Sequence, residues 1–166
     1  MGLPSATRLV VSCASREEAD AARAEVESAL KKEGLAMKPE KTRVVSLEEG
    51  IDFLGYRITL RGLWPSEKSV KRFQGKVRSL TLKHDRRGTA DVVGRVMLVI
   101  RGWTNYFSLS QPDPRMWQLG KWILDRVRYH AIGRRWWRKA VQVLPSAKLY
   151  EMGPKLPNTP LKKRTR

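Results

Sequence analysis

The chain has 166 residues and a formal net charge of +18, with one cysteine and two histidines. Cys13 alone excludes an internal disulfide, and His84 and His130 are too few for a zinc site of the usual Cys/His kind. No apolar run approaches the roughly 20 residues of a membrane span, and residues 1–12 lack the apolar core of a signal peptide. A soluble cytoplasmic protein without metal or other cofactor is expected.

The charge is unevenly placed. Residues 1–52 hold eight basic and ten acidic side chains, whereas the rest of the chain holds 26 basic and six acidic ones together with all six tryptophans. A nearly neutral segment joined to one this cationic implies a polyanionic partner. Nucleic acid leads, because arginines interleaved with aromatics stack on bases. A membrane surface is the weaker alternative, since apolar faces on the basic helices suit a core. A ribosomal-type protein that only neutralises phosphate is the plainest account.

In chain order, the β-branched residues 7–13 predict a strand, and Ser15 then caps a helix with Glu17 and Glu18 in its first turn. Ala19, Ala22, Val26, Ala29 and Leu30 form the expected buried stripe, and Gly34 ends the helix. Residues 41–47 and 51–60 predict second and third strands around Glu48-Glu49-Gly50, giving a β-α-β-β unit closed by Gly62.

Helices take over after Pro65. Ser66 caps one running to about Leu82, with Val70, Phe73, Val77 and Leu80 on one face. Its other side carries Lys68, Lys71, Arg72, Lys76 and Arg78. After a basic loop containing Arg86 and Arg87, Thr89 is expected to cap a helix with Val92, Val96, Val99, Trp103 and Tyr106 or Phe107 inward. Arg101 and Asn105 on that helix serve either a partner or local structure. Asp113 and Pro114 start a further helix to about Ile132. That helix is interrupted near Gly133, and a short one over residues 134–144 should then turn Trp137, Ala140, Val141 and Leu144 inward and Arg134, Arg135, Arg138 and Lys139 outward, before an extended basic tail. The fold class is α+β.

The segments "GLAMKPEKTRVV", "IDFLGYRI", "SVKRFQGKVRSLT" and "RGWTNYF", in this order, resemble the C-terminal part of group II intron reverse transcriptase/maturases, and "WILDRVRYHAIGRRWWRK" suits the same region. The resemblance implies a remnant of the palm over residues 1–62, thumb-like helices over 63–110, maturase-specific helices over 111–144 and a basic tail over 145–166. It also implies an RNA-binding module that helps a group II intron to splice. The alternatives are a polymerase subunit completed in trans, with a partner protein supplying fingers and palm, and a truncated remnant.

Expected RNA contacts are Lys68, Lys71, Arg72, Lys76, Arg86, Arg87, Arg101, Asn105, Arg126, Tyr129, Arg134, Arg135, Trp136 and Arg138, with Tyr129 and Trp136 as exposed stacking aromatics. No catalytic residue is expected. Where the family carries a Tyr-Ala-Asp-Asp turn for its metal ions, this chain has Ser5, Ala6, Thr7 and Arg8, and no acid occurs before Glu17.

Overall fold

A computed structural model describes residues 9–82, 87–132, 140–143 and 145. The chain divides into two compact units, Met1–Ser46 and Leu47–Arg166.

In the first unit, α1 spans Arg16–Lys32. The Ser15 hydroxyl accepts from the Glu18 amide at 3.2 Å, and the Glu18 carboxylate accepts from the Ala14 amide at 2.6 Å, so two otherwise orphaned donors are satisfied reciprocally. Hydrogen bonds from its own backbone and from Ser15 hold the Glu17 carboxyl below its ordinary range. At the other end Leu35 N bonds Leu30 O at 2.8 Å and Gly34 N bonds Lys31 O at 3.1 Å. With Gly34 at φ 70°, this is a Schellman cap. The expected stripe is shallower than its pattern suggested: Ala19, Ala22, Val26 and Leu30 are half-buried, Ala29 is exposed, and no residue of α1 is buried.

Among the described residues the flanking strands do not form. Residues 9–13 and 42–46 have no regular structure, and Val10 and Val11 are about half exposed. β-branched composition favours extended backbone, but a strand also needs a neighbouring strand, and among the described residues neither segment is part of the sheet.

The second unit opens with an antiparallel meander, β1 Ile51–Phe53, β2 Tyr56–Thr59 and β3 Gly62–Pro65, in the order β1-β2-β3. The single strand expected over residues 51–60 is thus a hairpin, with Phe53 opposite Tyr56. Leu54 at φ 47° and Gly55 at φ 84° both sit in the left-handed region, as a two-residue turn of this twist requires. A Cβ on Gly55 would also stand 2.8 Å from the Ser69 hydroxyl. Gly62 begins β3 and pairs with Thr59. A sheet of three local strands therefore replaces the expected β-α-β-β unit, and the class stays α+β.

Four helices follow: α2 Glu67–Leu80, α3 Thr89–Tyr106, α4 Pro114–Ile132 and α5 Ala140–Val143. Ser66 caps α2, accepting from Ser69 N at 3.3 Å. The N-cap of α3 is Gly88, and Thr89 is its first helical residue. The core joins Phe73 and Val77 of α2, Val92, Val93, Val96 and Ile100 of α3, and Met116, Leu119, Ile123 and Val127 of α4. Val93 and Ile100 lie off the single apolar face read from the sequence because α3 packs against both α2 and α4. Phe107 is buried as expected, and Trp103 is half-buried between Phe73 and Phe107 at ring centroids of 4.9 and 4.8 Å. Val141, expected inward, is 58% exposed.

The sheet is bonded to the helices at the Leu54-Gly55 turn. Gly55 O accepts from Ser66 N at 2.8 Å and from the Ser69 hydroxyl at 2.9 Å. The Tyr106 hydroxyl donates to Leu54 O at 2.6 Å, and the Tyr56 hydroxyl donates to Tyr106 O. Among the described residues no helix is long and apolar enough to cross a membrane.

Candidate nucleic-acid interface

α2 divides by helical periodicity into two sides. Phe73 and Val77 enter the core, while Lys68, Lys71, Arg72, Lys76 and Arg78 are exposed. None of these five makes an ion pair among the described residues. The acids of this unit that do pair are matched locally, as in Asp91–Arg95 at 3.0 Å and Asp125–Arg128 at 3.0 Å. The cations of α2 therefore face solvent uncompensated.

Aromatic rings of α4 organise a second group of cations. Arg78 stands over the Trp122 ring at 5.3 Å, Lys121 over Trp117 at 4.6 Å, and Arg126 over Tyr129 at 5.2 Å. Stacking restrains the long side chain and leaves the edge of a guanidinium open to acceptors such as phosphate oxygens. Arg78, Trp122, Lys121 and Trp117 were not among the contacts expected from the sequence. The Arg78–Trp122 pair depends on how α2 and α4 pack, which periodicity alone does not reveal, whereas Trp117 and Lys121 stand four residues apart on α4.

Two of the expected contacts are occupied within the fold. Arg126 is half-buried, with Nε donating to Thr81 Oγ1 at 3.0 Å and Nη2 to Thr81 O at 2.9 Å. Tyr129, expected as an exposed stacking ring, is half-buried beneath the Arg126 guanidinium. Arg101 and Asn105 are exposed on α3, and Arg87 is half-buried with an interaction of its own. Arg86, Arg134, Arg135, Trp136 and Arg138 lie outside the described residues, as do Ser5 to Arg8, the expected inward Trp137 and Leu144, and residues 146–166 of the basic tail.

His130 was also not expected here. Its Nδ1 lies 3.0 Å from Leu82 O and its Nε2 lies 3.3 Å from Arg87 O, so one side chain of α4 reaches both flanks of residues 83–86. Among the described residues no group of three or more His, Cys, Asp or Glu is placed to hold a metal ion.

No curated protein shows a significant match to the chain. Residues 70–145 match the family described as the group II intron, maturase-specific domain. The match begins on the basic helix α2 and takes in α3, α4 and α5. Over these residues the cationic, aromatic-braced helical region is therefore similar to the group II intron, maturase-specific domain family.

Proposed function

We propose that the chain binds structured group II intron RNA through the basic side of α2 and the Arg78–Trp122 and Lys121–Trp117 pairs, assists the splicing of that RNA, and does not polymerise DNA by itself. The match of residues 70–145 to the maturase-specific domain supports a maturase-related role in group II intron splicing. What carries the finer reading is the row Lys68, Lys71, Arg72, Lys76 and Arg78, uncompensated cations on a helix whose opposite face is core. A folded RNA is a dense phosphate array, and rigidly presented cations gain affinity there by releasing its counterions. In this reading residues 1–62 correspond to the end of a polymerase palm, residues 63–110 to thumb-like helices, residues 111–144 to maturase-specific helices and residues 145–166 to a basic tail. The absence of acids from Ser5 to Arg8 underlies the lack of polymerase activity.

The test is filter binding of the full chain to transcribed intron RNA across a salt series. If about six phosphates are neutralised, affinity falls by roughly three orders of magnitude between about 50 and 200 mM salt. Replacing Lys68, Arg72 and Lys76 together by Gln lowers the magnitude of the salt slope by about three and leaves the melting temperature nearly unchanged, because exposed charges contribute little to folding. A triple variant with the affinity and slope of the parent refutes the interface. Primer extension on an RNA template with Mg²⁺ or Mn²⁺ yields no product from the chain alone, and template-dependent product refutes that part.

A further inference from the structure

Tyr106 closes α3 beside two core positions, yet it is 54% exposed. Its ring is nonetheless fixed. The hydroxyl donates to Leu54 O at 2.6 Å, the buried Phe107 ring meets it edge-on at a centroid distance of 4.8 Å and 78°, and Tyr56 lies at 5.8 Å. An exposed aromatic on a free side chain would lose rotamer entropy on gripping a ligand. This one is already ordered.

The surface around it is specific in shape and charge. At 100° per residue, Gly94, Leu98, Gly102 and Asn105 run along the solvent side of α3, with Arg101 on one flank and Arg95 and Tyr106 on the other. Gly102 stands one turn before Tyr106, and nothing lies within 4 Å of the place its Cβ would occupy. The helix is thus bare beside the ring. Asp91 is the one acid on this side and is held by Arg95 at 3.0 Å, while Arg101 is exposed with no ion pair among the described residues. The net charge offered to a ligand is positive.

We infer that Tyr106 is a stacking platform for one unpaired RNA base. The base lies on the exposed part of the ring, its ribose takes the open space over Gly102, Arg101 meets the adjoining phosphate, and the Asn105 amide is within one residue to read a base edge. The inference rests on the RNA-binding role proposed above and adds a preference to it, for unpaired over paired nucleotides. An apolar peptide would use the ring and Leu98 but would leave Arg101 without a counter-charge. A phosphodiester supplies one. Stacking on a prearranged ring tolerates any base, because every base has a π face.

The experiment measures binding of the full chain to two RNA hairpins of equal length, one fully paired and one with a single-nucleotide bulge, at one salt concentration. The parent binds the bulged hairpin about tenfold more tightly, within the range of stacking one base on an aromatic ring. Tyr106→Ala abolishes that preference and keeps the affinity for the paired hairpin, whereas Tyr106→Phe retains the preference because the ring and its packing remain. Gly102→Leu guards against a folding defect. It fills open space on an exposed helix face, melts at or above the temperature of the parent, and still abolishes the preference. A parent that binds both hairpins equally, or a preference that survives in Tyr106→Ala and Gly102→Leu, overturns the stacking site alone. A parent that binds neither hairpin overturns the RNA-binding role with it.

Discussion

Arg126 of α4 satisfies both oxygens of Thr81, donating from Nε to Oγ1 at 3.0 Å and from Nη2 to the carbonyl at 2.9 Å, across 45 residues of sequence. Thr81 is fully buried at the end of α2, where carbonyls have no partner within the helix. The arginine therefore supplies a C-terminal cap from another helix, and its charge suits the negative end of the helix dipole.

Removing that cap leaves a buried carbonyl without its donor. Arg126→Ala should cost about 1.5–3 kcal/mol in urea unfolding, the usual range for hydrogen bonds to a charged group. Arg126→Lys should recover only part of this, because an ammonium lacks the planar fork that reaches two acceptors at once. An alanine variant as stable as the parent would return Arg126 to a purely RNA-facing role.

How far the sequence alone led depends on whether each feature is local. α2, α3 and α4 were legible because a 3.6-residue apolar period coincides with local start signals, Ser66 for α2 and Asp113-Pro114 for α4. The hairpin was not. Its turn is Leu54-Gly55, and leucine in the left-handed region carries none of the usual Asn-Gly signal. The cations of α2 followed from the same period, whereas Arg126 and Tyr129 could not be placed without knowing that α4 packs against the end of α2. Tyr106 illustrates the converse: period put it at the margin of the core, and the turn after α3 decided that Phe107 is buried and Tyr106 exposed.

The start of α4 is held by one carboxylate. Asp113 is 4% exposed, and its Oδ1 accepts from Arg115 N at 2.9 Å while Oδ2 accepts from Arg115 Nε at 2.8 Å. That hydrogen bond is the leading reason the Arg115 pKa is raised above its ordinary value. Asp113→Ala should destabilise the chain by about 1–2 kcal/mol, as the loss of a good N-cap does. Asp113→Asn should fall between the two, keeping a capping oxygen and losing the charge. Equal unfolding midpoints for Asp113→Ala and the parent would show that Pro114 alone is sufficient to start α4.

Gly75 in α2 and Gly94 in α3 interrupt helices without a conformational reason, since no positive φ is found at either and nothing lies within 4 Å of the place where a Cβ would stand. Alanine at each position should raise stability by about 0.5–1 kcal/mol through helix propensity. Thermal unfolding of the single variants checks this. A loss of stability would reveal a close approach at that position that the described residues do not contain.

The contact between the sheet and α3 should weaken in alkali. The Tyr56 hydroxyl donates to Tyr106 O, and burial, with a smaller contribution from Tyr106, raises its pKa above the ordinary tyrosine value. An ionised Tyr56 could no longer donate, and its charge would be poorly solvated beside two other aromatic rings. Because the folded pKa is the higher one, the folded state binds more protons than the unfolded state once pH passes the ordinary value. Stability is then complete below that pH and declines as pH rises through the folded pKa. Tyr56→Phe lacks both the hydrogen bond and the titration, so it should melt below the parent near neutrality and lose less on the way to about pH 11. Melting curves of the two proteins between about pH 8 and 11 decide the matter. The gap between them should narrow as pH rises, and a constant or widening gap would mean that Tyr56 does not couple ionisation to this contact.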